Sequence, residues 1–170
     1  DDAEGLLERV GEMRAGGDDT RSKIVKGALA VMGGTFAHLA LGTLYCWGNF
    51  VSYTPDYLKS FPGGSGNDAS LVFPATFVAQ TMGMPVSAKV QNILGQKYTL
   101  LLGGAIMASG VFLASFAKNL YVFILLYSLV VGFGTGVAYT APMVAGWKWF
   151  PQSKGAVSGS VLLGFGAGGF

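Results

Sequence analysis

The sequence predicts an all-α membrane protein with about five transmembrane helices, and three observations carry that expectation. Of 170 residues 51% are hydrophobic and only 12% are charged, half the roughly 25% charge of a soluble domain. Mean hydropathy is +0.49. Seven of the nine acids (Asp1, Asp2, Glu4, Glu8, Glu12, Asp18 and Asp19) fall in the first 19 residues, leaving only Asp56 and Asp68 beyond. Long apolar, nearly acid-free runs exclude an ordinary soluble globule and a disordered tail. They also exclude a nucleic-acid binder, whose phosphate contacts need clustered Lys and Arg.

Residues 1–23 form a polar segment. Leu6, Leu7, Val10 and Met13 make one weak apolar stripe beside Glu4, Glu8, Arg9 and Glu12, the spacing of a short amphipathic helix. It is too acidic for a signal or transit peptide. Gly16-Gly17 is expected to end it, ahead of a basic collar of Arg21, Lys23 and Lys26.

The transmembrane bundle is expected over 24–170, with spans at about 24–51, 69–90, 98–117, 120–146 and 155–170. The first four reach the roughly 20 residues that crossing ~30 Å of hydrocarbon requires at about 1.5 Å per residue. The fifth stops short in a glycine-rich tail without a polar cap, as a chain cut inside a span would.

Cytoplasmic loops accumulate Lys and Arg. With the N-terminus inside, Arg9, Arg14, Arg21, Lys23, Lys26, Lys89, Lys97, Lys148 and Lys154 lie inside, against Lys59 and Lys118 outside. The N-terminus is therefore expected on the cytoplasmic side, or on the matrix or stromal side of an organelle; which membrane is not encoded. The outer loop, 53–68, holds two prolines and Gly63-Gly64-Ser65-Gly66. Ala117-Lys118-Asn119 is short enough to make spans three and four an antiparallel hairpin.

Three spans carry one polar side each. Thr35, His38, Gly42, Tyr45 and Asn49 recur at helical steps on the first; Thr76, Gln80, Gly83 and Ser87 on the second; Ser128, Thr135, Tyr139 and Pro142 on the fourth. Polar groups facing lipid are costly. These sides either line a shared wet cavity, with His38, Tyr45, Gln80 and Tyr139 as its candidate substrate contacts, or bond their own helix backbones and each other. His38 is the single histidine, and a free imidazole titrates near pH ~6.5. It is a candidate proton site or a neutral hydrogen-bond partner.

Glycine pairs at G-x-x-x-G spacing (Gly132 with Gly136, Gly155 with Gly159, Gly164 with Gly168) predict close helix contacts. Gly164, Gly166 and Gly169 also spell G-x-G-x-x-G, but no strand precedes them and no acid follows, so dinucleotide binding is rejected. One His, the lone Cys46 and no acid within the spans cannot assemble a catalytic triad, a carboxylate pair or a metal cluster. No enzyme activity, cofactor or metal is expected.

The most specific run is Gly132-Phe-Gly134-Thr-Gly136-Val-Ala-Tyr139-Thr-Ala-Pro142, followed by Trp149-Phe150-Pro151-Gln-Ser-Lys154-Gly155. It resembles the major facilitator superfamily, in its oxalate/formate antiporter and monocarboxylate transporter-like branch, which carries G-x-G-x-G-x-x-Y-x-x-P and W-F-P-x-x-[RK]-G at these places. The resemblance covers about residues 24–170 and implies the N-terminal portion of that helix bundle. Gly132, Gly134 and Gly136 remove bulk where helices slide, and Pro142 loosens the ladder at the inner end. Trp147, Trp149, Lys148 and Lys154 anchor at the interface. The family's loop between helices two and three, roughly G-x-x-x-D-R-x-G-R-[RK], is matched at Gly95 and Lys97 but carries Asn92 and Ile93 where Asp and Arg are usual.

The resemblance implies a secondary active transporter of small organic anions of monocarboxylate or dicarboxylate type, working by alternating access as antiporter or symporter. Its partners would be the bilayer, the anion and a candidate coupled proton. One alternative is a truncated transporter remnant serving as a structural accessory subunit of a larger membrane complex. Another is a half-transporter that dimerises.

Overall fold

The computed structural model describes residues 20–64 and 66–170 in full, and 2–19 only as the backbone of the first helix. The expected apolar stripe of residues 6–13 therefore lies outside the described side chains. No strand occurs among the described residues. Among the described residues, three helical stretches are long and apolar enough to cross a membrane: Thr20–Tyr53, Asp68–Ala114 and Leu120–Trp149. The chain is an integral membrane protein. In a bilayer each backbone polar group must be satisfied within the segment, and helices do this without partners.

The first helix spans Asp2–Leu41 without a break at Gly16-Gly17, a correction to the expected stop. Glycine in a helix interior costs only ~1 kcal/mol. Short 3-10 and α turns carry the first helix on to Tyr53. The second helix, Val72–Ala114, is 43 residues long, about twice a crossing, and breaks at Gly95, where φ is 81° and ψ is 169°. That conformation belongs to glycine, and it divides the helix into arms of residues 72–94 and 96–114. The inner connection expected at 91–97 is thus one glycine hinge rather than a loop.

The fourth crossing starts at Asn119, whose side chain accepts from the Val122 amide at 2.9 Å, a helix cap. It widens into π geometry over Ile124–Val131, a feature without a sequence signature. The last helix is Lys154–Ala167.

Contacts fix the directions. Gly132 lies against Thr76 and Ala79, and Gly136 against Gln80 and Gly83, so the fourth crossing runs parallel to the first arm. Gly103 lies against Ala138 and Gly110 against Val131, so it runs antiparallel to the second arm. Gly27 meets Phe150 and Gly34 meets Pro142, making the first helix antiparallel to the fourth crossing. Gly164 meets Thr35 and Gly168 meets Gly42, making the last helix parallel to the first. The fourth crossing sits at the centre.

Large apolar side chains such as Phe36, Leu29, Met82, Phe112 and Leu163 point outward, whereas Thr76, Ser87, Thr99, Ser128 and Thr135 are buried. That inverts the soluble pattern and suits a surface solvated by lipid. Two apolar clusters tie the bundle together, one around Leu41, Leu44, Val131, Ala138 and Phe165, the other around Trp47, Ala69, Val72 and Leu120.

Basic residues collect at one end. Phe150 packs on Gly27, next to Lys26, Lys148 Nζ donates to Gln96 Oε1 at 2.9 Å beside Lys97, and Trp147 Nε1 donates to the Lys154 carbonyl at 3.2 Å. Lys118 and Tyr57 line a cavity at the other end. There the loop is closed by the Phe61 amide donating to Asp68 Oδ2 at 3.0 Å and by Phe61 packing on Tyr121 at 4.3 Å between ring centres.

Candidate functional site

Most hydroxyls on the three polar sides bond carbonyls. Thr76 Oγ1 donates to Val72 and Thr135 Oγ1 to Val131, each within its own helix. Ser128 Oγ reaches Val72 across the helix pair at 3.0 Å, from the π segment. Ser87 Oγ donates to the Val137 carbonyl, and Thr35 Oγ1 faces the carbonyls of Val31 and Ser160. Thr76 and Thr135 bond their own helix backbone, whereas Ser128, Ser87 and Thr35 tie helices together; this is the second of the two readings open for them.

Three of the four candidate cavity residues converge. The His38 ring centre lies 5.1 Å from that of Tyr139. Phe165 stands 5.9 Å from His38, 5.3 Å from Tyr45 and 5.1 Å from Tyr139, edge-on to each. Tyr45 also meets Phe73 and Phe77 at 6.0 and 5.9 Å. Helices one, four and five thus each bring an aromatic ring to one place, with the start of the first arm beside it. Phe165 was missed by sequence reasoning, which followed polar periodicity and so passed over an apolar ring. Its place inside the glycine-rich run of the last helix was the available signal.

His38 is fully buried, and neither ring nitrogen makes a hydrogen bond of good geometry; the backbone groups facing it are those of Gly34 and Tyr139. Gln80 is also buried, beside Gly136 on the first arm, and its Oε1 has no partner. Tyr45 and Tyr139 keep partial exposure. Of the four expected contacts, His38 and Gln80 are packed away, while the two tyrosines reach the surface. Buried polar atoms without partners cost about 1–3 kcal/mol each.

The motif residues divide similarly. Gly132, Gly134 and Gly136 allow backbone contact with both arms: a Cβ at Gly136 would overlap the Gln80 carbonyl, and one at Gly134 would stand 2.6 Å from the Met107 amide. Pro142 fills the space over Gly34, and Phe150 that over Gly27. Gly164 and Gly168 pack on the first helix. Gly155 and Gly159, expected as a contact pair, face open space instead, because the last helix presents that side away from its neighbours. Trp149 is exposed at the basic end, and Pro151 stands in the turn before Lys154, where the last helix begins. Among the described residues no group of three or more His, Cys, Asp or Glu could hold a metal ion.

No family model matches the chain. It is similar to apicoplast pyruvate carrier 1 of Toxoplasma gondii, 33% identical over 84% of this chain and 32% of that protein. It is similar to monocarboxylate transporter 9 of Pongo abelii, 30% identical over 78% of this chain and 24% of the relative. The MFS-type transporter opdF of Penicillium oxalicum is 29% identical over 78% of this chain and 32% of its own length. The chain thus spans between a quarter and a third of these relatives, which are transporters and not enzymes.

Proposed function

We propose that this chain, which belongs to the major facilitator superfamily, is the N-terminal portion of a secondary active transporter of small organic anions that works by alternating access. The observation that carries the proposal is the convergence of His38 and Tyr45 from the first crossing and Tyr139 from the fourth on Phe165 of the last helix. In this reading the two tyrosines contact the anion from the exposed side, and His38 is the proton or substrate contact reached when Phe165 moves. Glycine-to-backbone contacts at Gly132, Gly134 and Gly136 leave no interlocked side chains to break when helices rock against each other. The relatives' names, a pyruvate carrier and a monocarboxylate transporter, support a monocarboxylate as the first substrate to test.

The accessory-subunit alternative fares less well on one point. The buried Gln80 oxygen, which has no partner, carries a desolvation cost that a purely structural bundle would shed by apolar replacement. The proposal also takes the basic end as the cytoplasmic, matrix or stromal side, by the Lys and Arg asymmetry. The chain alone performs no catalysis in this reading.

The test is flux. The full natural protein containing this chain, reconstituted in liposomes, is expected to exchange labelled pyruvate or another small carboxylate above empty vesicles. Tyr139→Phe and His38→Gln are expected to lower that exchange with the protein still folded. Absence of carboxylate flux under any imposed gradient overturns the proposal.

A further inference from the structure

The fourth crossing is broken beside the candidate site. One α-helix ends at Tyr139 and the next begins at Ala141, with Thr140 between them. Pro142 supplies the reason: it has no amide hydrogen, so the Ala138 carbonyl one turn earlier loses its usual helical donor. The loosened stretch carries Tyr139, whose ring lies 5.1 Å from that of His38 and 5.1 Å from that of Phe165. What holds it in place comes from a neighbouring helix.

Ser87 and Gln91 stand four residues apart and so on one face of the first arm. Ser87 Oγ donates to the Val137 carbonyl. Gln91 Nε2 donates to Ser87 Oγ at 2.9 Å and to Thr140 Oγ1 at 2.7 Å. The two hydroxyls lie 2.8 Å apart. Because the single Ser87 proton goes to the carbonyl, Thr140 is the donor between them, and each proton of the network has one place. Ser87 is fully buried and Gln91 nearly so, in a setting of low dielectric where such bonds are strong. The bonds land on residues 137 and 140, on both sides of Tyr139 in the chain. From the first helix Gly34 closes on Pro142, and the backbone groups of Gly34 and Tyr139 face His38.

We propose that Ser87, Gln91 and Thr140 are positioning residues for Tyr139: their clasp across the helix break fixes the tyrosine against His38, and through it sets the affinity of the substrate site. The affinity rests on the transport reading; the placement of the ring does not. Polar contacts that merely glue helices together would act on stability alone, whereas the clasp acts through one side chain.

The test uses the full natural protein in liposomes and two measurements. One is the KM and maximal rate of labelled pyruvate exchange, and the other is the rate at which diethylpyrocarbonate modifies His38. Thr140→Val removes the hydroxyl at nearly constant shape. It is expected to raise KM about two- to tenfold, the worth of one net hydrogen bond, with the maximal rate changed less than about twofold. Modification of His38 is expected to quicken, and Thr140→Ser to restore both values. Ser87→Ala is expected to act alike and carries the test should Thr140→Val not fold. Thr135→Val, which loses a hydrogen bond within its own helix on the same crossing, is expected to move neither measurement. Added to Tyr139→Phe, Thr140→Val is expected to raise KM no further, as for two changes that act through one contact. An unchanged modification rate, or an equal response to Thr135→Val, overturns the clasp. An unchanged KM, or one that rises in full on top of Tyr139→Phe, overturns its link to the substrate site. Absence of flux in the unsubstituted protein defeats the transport reading instead, and the modification rates then decide the clasp alone.

Discussion

The imidazole of His38 and the phenol of Tyr139 stand 5.1 Å apart between ring centres, tilted by 52°, where the first helix crosses the fourth antiparallel to it. The contact joins a ring that is wholly buried to one that reaches the surface.

Because His38 is the only histidine, its accessibility can be read directly with diethylpyrocarbonate. The buried ring is expected to react slowly in the native protein. Phe165→Ala is expected to accelerate the reaction and to destabilise the bundle by about 3–5 kcal/mol, as for other buried Phe→Ala changes. Rapid modification of the unsubstituted protein would refute the sealed placement of His38.

Gly136→Ala is expected to destabilise the bundle by at least about 1–3 kcal/mol, since the new methyl overlaps the Gln80 carbonyl and stands 3.0 Å from Gly83 Cα. Gly104→Ala on the second arm meets nothing within 4 Å. It is expected to be neutral, or stabilising by up to ~1 kcal/mol from helix propensity. Thermal unfolding in detergent separates the two. Equal midpoints for both variants would mean that the fourth crossing is not packed backbone to backbone on the first arm.

Gly95→Ala puts a side chain at φ 81°, a strain of about 1–3 kcal/mol. The hinge between the arms should loosen, with the Lys148 to Gln96 hydrogen bond weakened alongside it. Cysteine cross-linking between the two arms is the measurement, with a lower yield in the variant; an unchanged yield and unfolding midpoint would place the turn elsewhere.

At the other end, Lys59 donates to Asp56 at 2.7 Å, and that hydrogen bond with the ammonium charge holds the Asp56 carboxyl below its ordinary value of 3.8. The folded value being the lower one, the interaction is complete above the unfolded midpoint and fades as pH falls through the folded one. NMR titration should show Asp56 protonating below the ordinary carboxylate range, and Asp56→Asn should leave neutral-pH stability unchanged, as for exposed ion pairs generally. A titration midpoint at or above 3.8 would dismiss the pair.

The membrane-helix class was legible because hydrocarbon thickness imposes a length and excludes charge, and both leave a one-dimensional trace: Leu120–Trp149 is visible as a run without acids. The glycines of the fourth crossing were legible as a spacing. Their partners were not, since which helix lies against Gly136 depends on how the chain doubles back at Gly95. Polar periodicity located Thr76, Gln80, Ser87 and Thr135 on one side of their helices, yet it could not say whether that side met water or a neighbouring carbonyl. Both outcomes satisfy a hydroxyl; Thr76, Ser87 and Thr135 found the carbonyl, whereas the Gln80 oxygen found no partner. Phe165 escaped because an apolar ring in an apolar helix carries no contrast.

By itself the sequence determined the medium and the element type: a chain with so few charges and such long apolar runs must lie in a bilayer, and in a bilayer it must be helical. Its charge asymmetry also sorted the ends. The tertiary structure alone decided that His38 is enclosed by Tyr139 and Phe165, and that Gln80 and Gln91 are buried. The reason is physical: hydropathy is a property of each residue and its neighbours in the chain, whereas enclosure is set by residues far away in sequence, 101 and 127 positions for the rings around His38.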